Sequence, residues 1–312
     1  MYNGGGMQTK GTGMLDVHGN VMIEGAAGDV VKTLTTGGAD KAAADGNIVL
    51  RMNTPSTPAT STYGQLYINN ISQGNITAFV SKEYRDEKHG NGNFYQQVAI
   101  PFYDKPIFSL STELDKTFTI NRWSQNEILK YNDAKVRSDH YTNTAVRTTD
   151  ATGYYMLGSH QNNLDPNDPS GMTTIAPTPT GAVFTIHGRP FASGITRQLL
   201  GAGAGINFGT NGTRRNWYKE TYNSYLQDKF ESTANAWVGT YGRNIYQFGN
   251  PFLTNLDLKF IAFDENGAST GDDGNNLTAL WGVMLDHGQV ITRPDGSTYS
   301  TSSAVITYDT DV

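Results

Sequence analysis

The chain of 312 residues contains no cysteine. This absence excludes disulfide bonds, thiolate metal sites and cysteine nucleophiles. Charged residues are also scarce, at 17% of the sequence, and the net charge at pH 7 is −6. The basic excess that binds phosphate backbones is therefore missing, and we set aside nucleic acid as a partner.

Long apolar runs are absent as well. No segment approaches the roughly 18 consecutive apolar residues that a membrane-spanning helix needs, so we expect no direct membrane span. The first ten residues, MYNGGGMQTK, lack a basic segment followed by an apolar run, so we see no signal peptide in them. Proteins and glycans are the partner classes that these absences leave open.

Glycine and aromatic residues are plentiful, with 35 Gly and 17 Tyr. This mixture suits strands and turns better than helices, which favour Ala, Glu, Lys and Leu. Short alternating runs separated by turn signals, among them Tyr63–Ile71, Ile76–Val80 and Phe108–Leu110, are typical of a β-sandwich. We predict an all-β, antiparallel, jelly-roll-like sandwich with one helix.

The chain is long enough for one large or two modest domains. The Thr, Ser and Pro-rich segment TPSTPATST favours a boundary near Pro58. We predict short strands and a linker over residues 1–58, and a β-sandwich domain over residues 59–312 that is incomplete at its C-terminus.

The segment LDVHGNVMIEG alternates apolar and polar residues on both sides of Gly19-Asn20. One interpretation is a hairpin of two short strands around that turn. The other is a short β-solenoid, because the segment resembles the glycine-punctuated strand ladder of exported repeat β-solenoids.

The stretch Arg243–Phe263 contains two strand-like runs separated by Gly249-Asn250-Pro251. Proline fixes its own φ, lacks a backbone donor and disfavours a helical residue before it. We predict a strand, a corner and a second strand, with the corner beside the core and Phe248 or Phe252 buried.

This corner resembles the W-N-L-I-G-N-P-Y signature of large extracellular β-proteins of the Bacteroidota, many of them exported by the type IX secretion system. Four segments upstream resemble other strands of that family, in the family's order: FYQQVAIP at Phe94–Pro101, KYNDA at Lys130–Ala134, GYYML at Gly153–Leu157 and FTIHGRP at Phe184–Pro190. The resemblance covers roughly residues 94–260.

The resemblance implies a β-sandwich module outside the outer membrane, and it implies no catalytic chemistry. Its partners would be other surface proteins or glycans, with the type IX translocon and its accessory outer-membrane proteins among them. Exported members carry a C-terminal sorting domain, whereas this sequence ends on the strand-like run Ser303–Tyr308. We therefore expect the chain to be a processed or excised piece of a longer protein.

Four aromatic residues are candidates for glycan or partner contacts: Trp217, Tyr218, Tyr241 and Tyr246. Aromatic and apolar residues recur every four positions through Trp217–Trp237, which predicts a helix. A pair of aromatic strands is the alternative. A coplanar exposed row of these rings would favour a carbohydrate-binding module, whereas burial would favour a scaffold.

Catalytic motifs are missing from the sequence. The six histidines show no metal-ligand spacing, and SxxK does not occur. The GxSxG match, GASTG at Gly267–Gly271, lies in the polar loop DENGASTGDDGNN and not at the strand-to-helix turn of a nucleophile elbow. The glycines at Gly201, Gly203 and Gly205 follow a GxGxG spacing without the strand-loop-helix context of a dinucleotide site. We predict that the protein is not an enzyme and binds no organic cofactor.

Calcium is the cofactor that the sequence keeps open, since calcium takes six to eight oxygen ligands from flexible loops. The candidate ligands are Asp264, Asp272 and Asp273, with Asp165 and Asp168 in a second loop. Ordinary turns rich in Asn, Asp and Gly are the alternative interpretation of both loops.

The first functional hypothesis is a non-enzymatic module that acts in adhesion or surface assembly. A carbohydrate-binding module is the second. The third is a subunit of a filament or secretion machine whose open edge strand is completed by a neighbour.

Overall fold

The computed structural model describes ten ranges of the chain together with the backbone of six strands beyond them. The ten ranges are 1–42, 47–53, 62–85, 96–116, 127–133, 137–141, 147–158, 183–192, 194–195 and 247–255. The six strands lie within residues 230–309. No helix among the described residues is long and apolar enough to cross a membrane.

The described residues among the first 85 form ten short strands and one 3-10 turn at Gln73–Asn75. The strands are β1 Tyr2–Asn3, β2 Met7–Lys10, β3 Leu15–Val17, β4 Asn20–Glu24, β5 Val31–Leu34, β6 Ile48–Leu50, β7 Met52–Asn53, β8 Thr62–Tyr63, β9 Gln65–Asn69 and β10 Val80–Arg85.

Eight of these strands pair in parallel on three faces, while β7 and β8 form a separate antiparallel pair. The first face has the order β1-β4-β9, and the third has the order β3-β6-β10. The second face contains β2 and β5, with a parallel bridge from Val31 to Ile76. The chain visits the three faces in the same order three times, which makes this region a β-solenoid of three coils.

The alternation of apolar and polar residues explains the solenoid, because successive side chains of a strand point to opposite faces. The apolar residues align in columns from coil to coil, with Ile23 beside Ile68, Val31 beside Ile76 and Ile48 beside Val80. All of these side chains are buried. Since β3 and β4 lie in different sheets, Gly19-Asn20 is a solenoid corner and the hairpin interpretation is wrong.

Between residues 96 and 192, the described part of the chain contains six more strands and one short helix. They are β11 Gln96–Ala99, β12 Phe102–Tyr103, helix α1 Ser109–Glu113, β13 Glu127–Asn132, β14 Arg137–His140, β15 Tyr154–Gly158 and β16 Val183–Pro190. The strand predicted at Phe108–Leu110 is wrong, because Ser109 and Leu110 begin α1.

Strand β16 joins this part of the molecule to the solenoid. It pairs antiparallel with β10 over six residues, and β12 pairs antiparallel with its far edge. A separate antiparallel sheet has the order β11-β15-β13-β14. The core runs through both parts, and Tyr155, Phe102 and Phe184 are its largest fully buried side chains.

The last third of the chain contributes six strands, β17 Phe230–Glu231, β18 Ala236–Trp237, β19 Ala279–Met284, β20 Gln289–Thr292, β21 Thr298–Thr301 and β22 Ala304–Asp309. Strands β17 and β18 pair antiparallel, so the helix predicted over Trp217–Trp237 is wrong at its C-terminal end. Strands β19 and β22 form one antiparallel pair, and β20 and β21, which lie between them in the sequence, form another.

The all-β prediction is confirmed, since strands dominate and helices are few. The arrangement of the later sheets as a sandwich stays a prediction, as does the domain boundary near Pro58. The parallel sheets contain strands on both sides of that position, with β6 before it and β9 after it.

The corner at Gly249 is packed tightly against two strands that belong to the family-like segments. Its N–H donates to the carbonyl of Thr152 at 2.9 Å. A Cβ atom at Gly249 would lie 2.5 Å from the carbonyl oxygen of Gly153 and 2.9 Å from the Cβ of Ala99. Phe248 and Phe252 are only half-buried. The prediction of a buried phenylalanine is therefore wrong, and Leu253 is the buried residue, bridged to Leu66.

Replacing Gly249 with alanine should destabilise the protein by about 1 to 3 kcal/mol, because the new methyl group overlaps backbone that cannot easily move. The free energy of unfolding in urea measures the effect. Gly28→Ala is the control, since no atom lies within 4 Å of a Cβ there. Equal unfolding midpoints for the two variants would show that the corner is not tightly packed.

Candidate functional site

All seven residues predicted as contacts or calcium ligands lie outside the described residues: Trp217, Tyr218, Tyr241, Tyr246, Asp264, Asp272 and Asp273. Asp165 and Asp168 lie outside them too. These assignments stay predictions. Within the described part of the chain, no three His, Asp or Glu side chains are grouped to hold a metal ion.

The first coil of the solenoid, Met1–Val17, forms one end of the described structure and is unusually exposed. Three of its large apolar side chains are open to solvent: Met1 at 66%, Tyr2 at 65% and Met14 at 59%. In the second coil, by contrast, Val21, Ile23 and Val31 are buried. In the inward columns, Met7 and Leu15 of the first coil are only partly buried, whereas Val31 and Ile48 beside them are fully buried.

The backbone of the first coil is also unpaired on its outer side. Met1, Met7 and Leu15 bond to the second coil through Met22 N–H, Val30 C=O and Asn47 C=O at 2.9, 2.8 and 2.6 Å. Alternate residues of a parallel strand bond to opposite neighbours. The N–H groups that point outward therefore belong to Tyr2, Gln8, Lys10 and Asp16, and among the described residues none has a partner.

At the opposite end of the solenoid, two of the three faces are covered. Strand β16 covers the free edge of β10. The edge of β9 is met by Leu253, whose carbonyl accepts from Leu66 N–H at 2.9 Å. An exposed strand edge is a template for another strand, so the first coil is the end of this solenoid that can bind one.

A buried group of polar side chains closes the far edge of β16; we call it the Lys105 cluster, formed by Lys105, Ser109, Glu113 and His187. The Lys105 ammonium donates to Ser109 Oγ at 2.6 Å, to the carbonyl of His187 at 2.8 Å and to the Glu113 carboxylate. Glu113 Oε2 accepts from the backbone N–H of His187 at 3.2 Å. The ion pair thus occupies the place that a neighbouring strand would take beside His187.

The imidazole of His187 points the other way, to Ser81 on β10. Ser81 Oγ and His187 Nδ1 lie 2.7 Å apart, and the two residues face each other across the β10-β16 pair. In a catalytic triad the carboxylate bonds to the imidazole and orients it. Glu113 bonds to the backbone of His187 instead, so this contact ties two strands together.

Burial lowers the pKa of both basic groups in the cluster. It lowers the pKa of Lys105, and the charge of Glu113 and its hydrogen bond oppose that change. Burial also lowers the pKa of His187; Glu113 opposes this effect, while the nearby Lys105 charge adds to it. His187 is therefore held neutral in the folded protein near pH 7.

Lys82 on β10 is a second cation in an aromatic setting. Its ammonium lies 4.8 Å from the ring centre of Tyr63 and 5.3 Å from that of Tyr84, within the range of cation–π attraction. Burial lowers the pKa of Lys82 to about 8. Tyr84 in turn stacks on Phe184 at 5.3 Å, so the cation lies at the margin of the core.

The sequence alone did not indicate the Lys105 cluster, because residues that bond to each other in it lie between 4 and 82 positions apart in the chain. Their proximity depends on α1 lying against β16, and no local pattern records that. The open coil had a weak signal, namely the solenoid-like alternation before and after Gly19.

Removing one member of the buried ion pair should destabilise the protein strongly, because the other charge is left without a partner. We expect Lys105→Met to cost about 3 to 5 kcal/mol, and Glu113→Leu in the same background to cost less than it does alone. Lys32→Met is the control, since its pair with Asp40 is exposed at 3.9 Å and worth less than about 1 kcal/mol. Equal losses for Lys105→Met and Lys32→Met in urea unfolding would refute the role of the cluster.

The neutral state of His187 predicts a loss of stability in mild acid. The pKa of His187 is lowered in the fold, so the unfolded chain takes up this proton first as the pH falls below about 6.5. The free energy of unfolding should fall between pH 7.5 and 5.5, with a slope of at most about 1.4 kcal/mol per pH unit from this residue. His187→Gln should reduce the slope, whereas His18→Gln, at an exposed position, should not. An unchanged slope in His187→Gln would contradict the assignment.

No family model, curated protein or solved structure matches this chain. Among the described residues, the open first coil is the feature most suited to binding.

Proposed function

We propose that the protein is a non-enzymatic module of a bacterial cell-surface or secreted protein and that it acts in adhesion or surface assembly. The observation that carries the proposal is the open first coil. This coil combines four outward N–H groups, for which the described residues provide no partner, with three exposed apolar side chains at one end of a solenoid whose other end is covered on two faces.

Proteins usually protect exposed strand edges with proline, with charge, or with a covering helix or loop. The first coil, MYNGGGMQTKGTGMLDV, has no proline, and its charged side chains are Lys10 and Asp16. Little in this sequence opposes the addition of a strand. An edge left so unprotected is better explained by a contact that uses it than by chance exposure.

The location outside the outer membrane and the type IX translocon as a transient partner are part of the same proposal. They are supported by the resemblance of five segments to exported Bacteroidota proteins. Three of these segments meet in space, because Gly249 packs against Ala99 and Gly153. Their contact fits a shared structural role for the motifs. Calcium binding by Asp264, Asp272 and Asp273 is a separate proposal.

A carbohydrate-binding module is the second candidate, and one described surface bears on it. Tyr103 is 38% exposed, and the guanidinium of Arg189 lies 5.2 Å from its ring centre. An exposed ring beside polar groups can contact a sugar. However, Arg189 covers one face of this ring, and Phe191 stands at 85° to it, so the coplanar row that favours sugar binding is missing here.

The proposal predicts binding without turnover. The purified chain, immobilised and exposed to outer-membrane extract of a Bacteroidota bacterium, should retain a protein that rebinds in pure form with a Kd below about 10 µM. The same chain should release no reducing sugar from a panel of polysaccharides. Failure to retain any such protein, together with hydrolysis of one polysaccharide, would overturn the proposal in favour of a hydrolase.

A further inference from the structure

We propose that the first coil, Met1–Val17, binds one β-solenoid coil of a partner protein, stacked in parallel so that the partner continues the three sheets. This inference rests on the proposed contact function and names the structural class of the partner. The partner's coil would carry three short strands in succession, with apolar residues at alternate positions.

The chain itself shows what such a contact requires, because it makes the same contact twice. On the first face, β4 pairs in parallel with β1 on one side and with β9 on the other. On the third face, β6 pairs in the same way with β3 and β10. The interface between coils is therefore a repeated unit of this structure, and the outer side of the first coil is its continuation.

The outer side offers the same chemistry as the inner interfaces. Outward N–H groups at Tyr2, Gln8, Lys10 and Asp16 are spread over all three faces of the coil. Neighbouring strands lie about 4.8 Å apart, so one further coil could bond to all four groups at once. A single extended peptide would cover one face only.

The side chains support a coil as the occupant. Met7 and Leu15 lie in columns with Val31 and Ile48, which are fully buried. Met7 and Leu15 themselves are only partly buried and pack against the core. An additional coil with apolar residues in these columns would cover them as the second coil covers its neighbours. The energy of the contact would come mainly from this burial.

A second copy of this chain does not fit the site as well as a partner's coil. Head-to-tail stacking of two copies needs a free edge at the third coil, and β16 and Leu253 cover that end. Two first coils could meet only head to head. In that arrangement the parallel ladders would be replaced by antiparallel pairs, and the columns would not continue.

The probe for the test is a peptide with the sequence of residues 20–53, which contains the second coil and its flanking residues. Added to the full chain, this peptide should slow amide hydrogen exchange at Tyr2, Gln8, Lys10 and Asp16 by about tenfold or more. The control peptide has Val21, Ile23, Val31 and Ile48 replaced by Asp and should give no protection.

A fusion provides a second measurement, since a free peptide can fail to fold. Residues 20–53 placed before Met1 through a flexible Gly-Ser linker should protect the same four amides and raise the Tm by about 2 °C or more. The Gln8→Pro variant lacks one outward N–H group, so neither the peptide nor the fusion should protect the outward amides in it. Gln8→Thr keeps the N–H group and should retain it.

The inference is wrong if neither the peptide nor the fusion protects the four amides. The identity of the partner is wrong if, without any probe, exchange at the four amides slows as the concentration of the chain rises and the chain sediments as a dimer. A second copy of the chain would then occupy the first coil. A chain that fails these tests but still retains an outer-membrane protein leaves the proposed function standing. Protection by the probes without any retained protein would instead support the coil site and count against the proposed function.

Discussion

The constraint on which this structure depends is that every β-sheet has two edges, and the N–H and C=O groups of each edge must find partners. In the solenoid the three parallel sheets end together, so each end of the stack presents three edges at once. Strand β16 pairs with β10 at one end. The edges of β1, β2 and β3 face outward at the other. The difference between these two ends determines where the molecule can bind something.

Because β16 covers β10, the far edge of β16 needs partners in turn. Two different structures provide them. Strand β12 pairs with β16 at Arg189 and Pro190. At His187 the ion pair of Lys105 and Glu113 provides a donor and an acceptor in place of a strand. The Lys105 side chain is 3% exposed. A buried ion pair often gains little net stability over an apolar pair, so its value here is that it satisfies backbone groups that an apolar pair would leave bare.

The fold class could be predicted from the sequence because the alternation of residues such as Leu15, Val17, Val21 and Ile23 is a local property. The choice between a hairpin and a solenoid could not be predicted, since both have the same alternation of apolar and polar residues and the same glycine turn. What decides it is the pairing of β4 with β9, which starts 45 residues further along the chain. The bends at Phe252 and Thr254 agree with the corner that Pro251 predicts, while the strands predicted on either side lie largely outside the described residues. Leu253 is buried rather than a phenylalanine because Leu66, from a distant strand, bridges to it. The Lys105 cluster joins residues that carry no common local pattern, and the predicted contact residues lie outside the described part of the chain.

The two ends of the solenoid differ in their inward-facing side chains as well as in their backbone edges. The column of Val17 and Leu50 continues in the third coil to Lys82. With its pKa lowered to about 8 by burial, this lysine is still mostly charged at pH 7, and Tyr63 and Tyr84 hold the charge beside their rings. On that side β16 already places the buried Ile186 opposite Lys82. On the side of the first coil the same column ends at Val17, which is apolar and itself buried. A further coil at the third coil is thus excluded on this face by β16, whereas no strand of the described residues lies against the outer edge of the first coil.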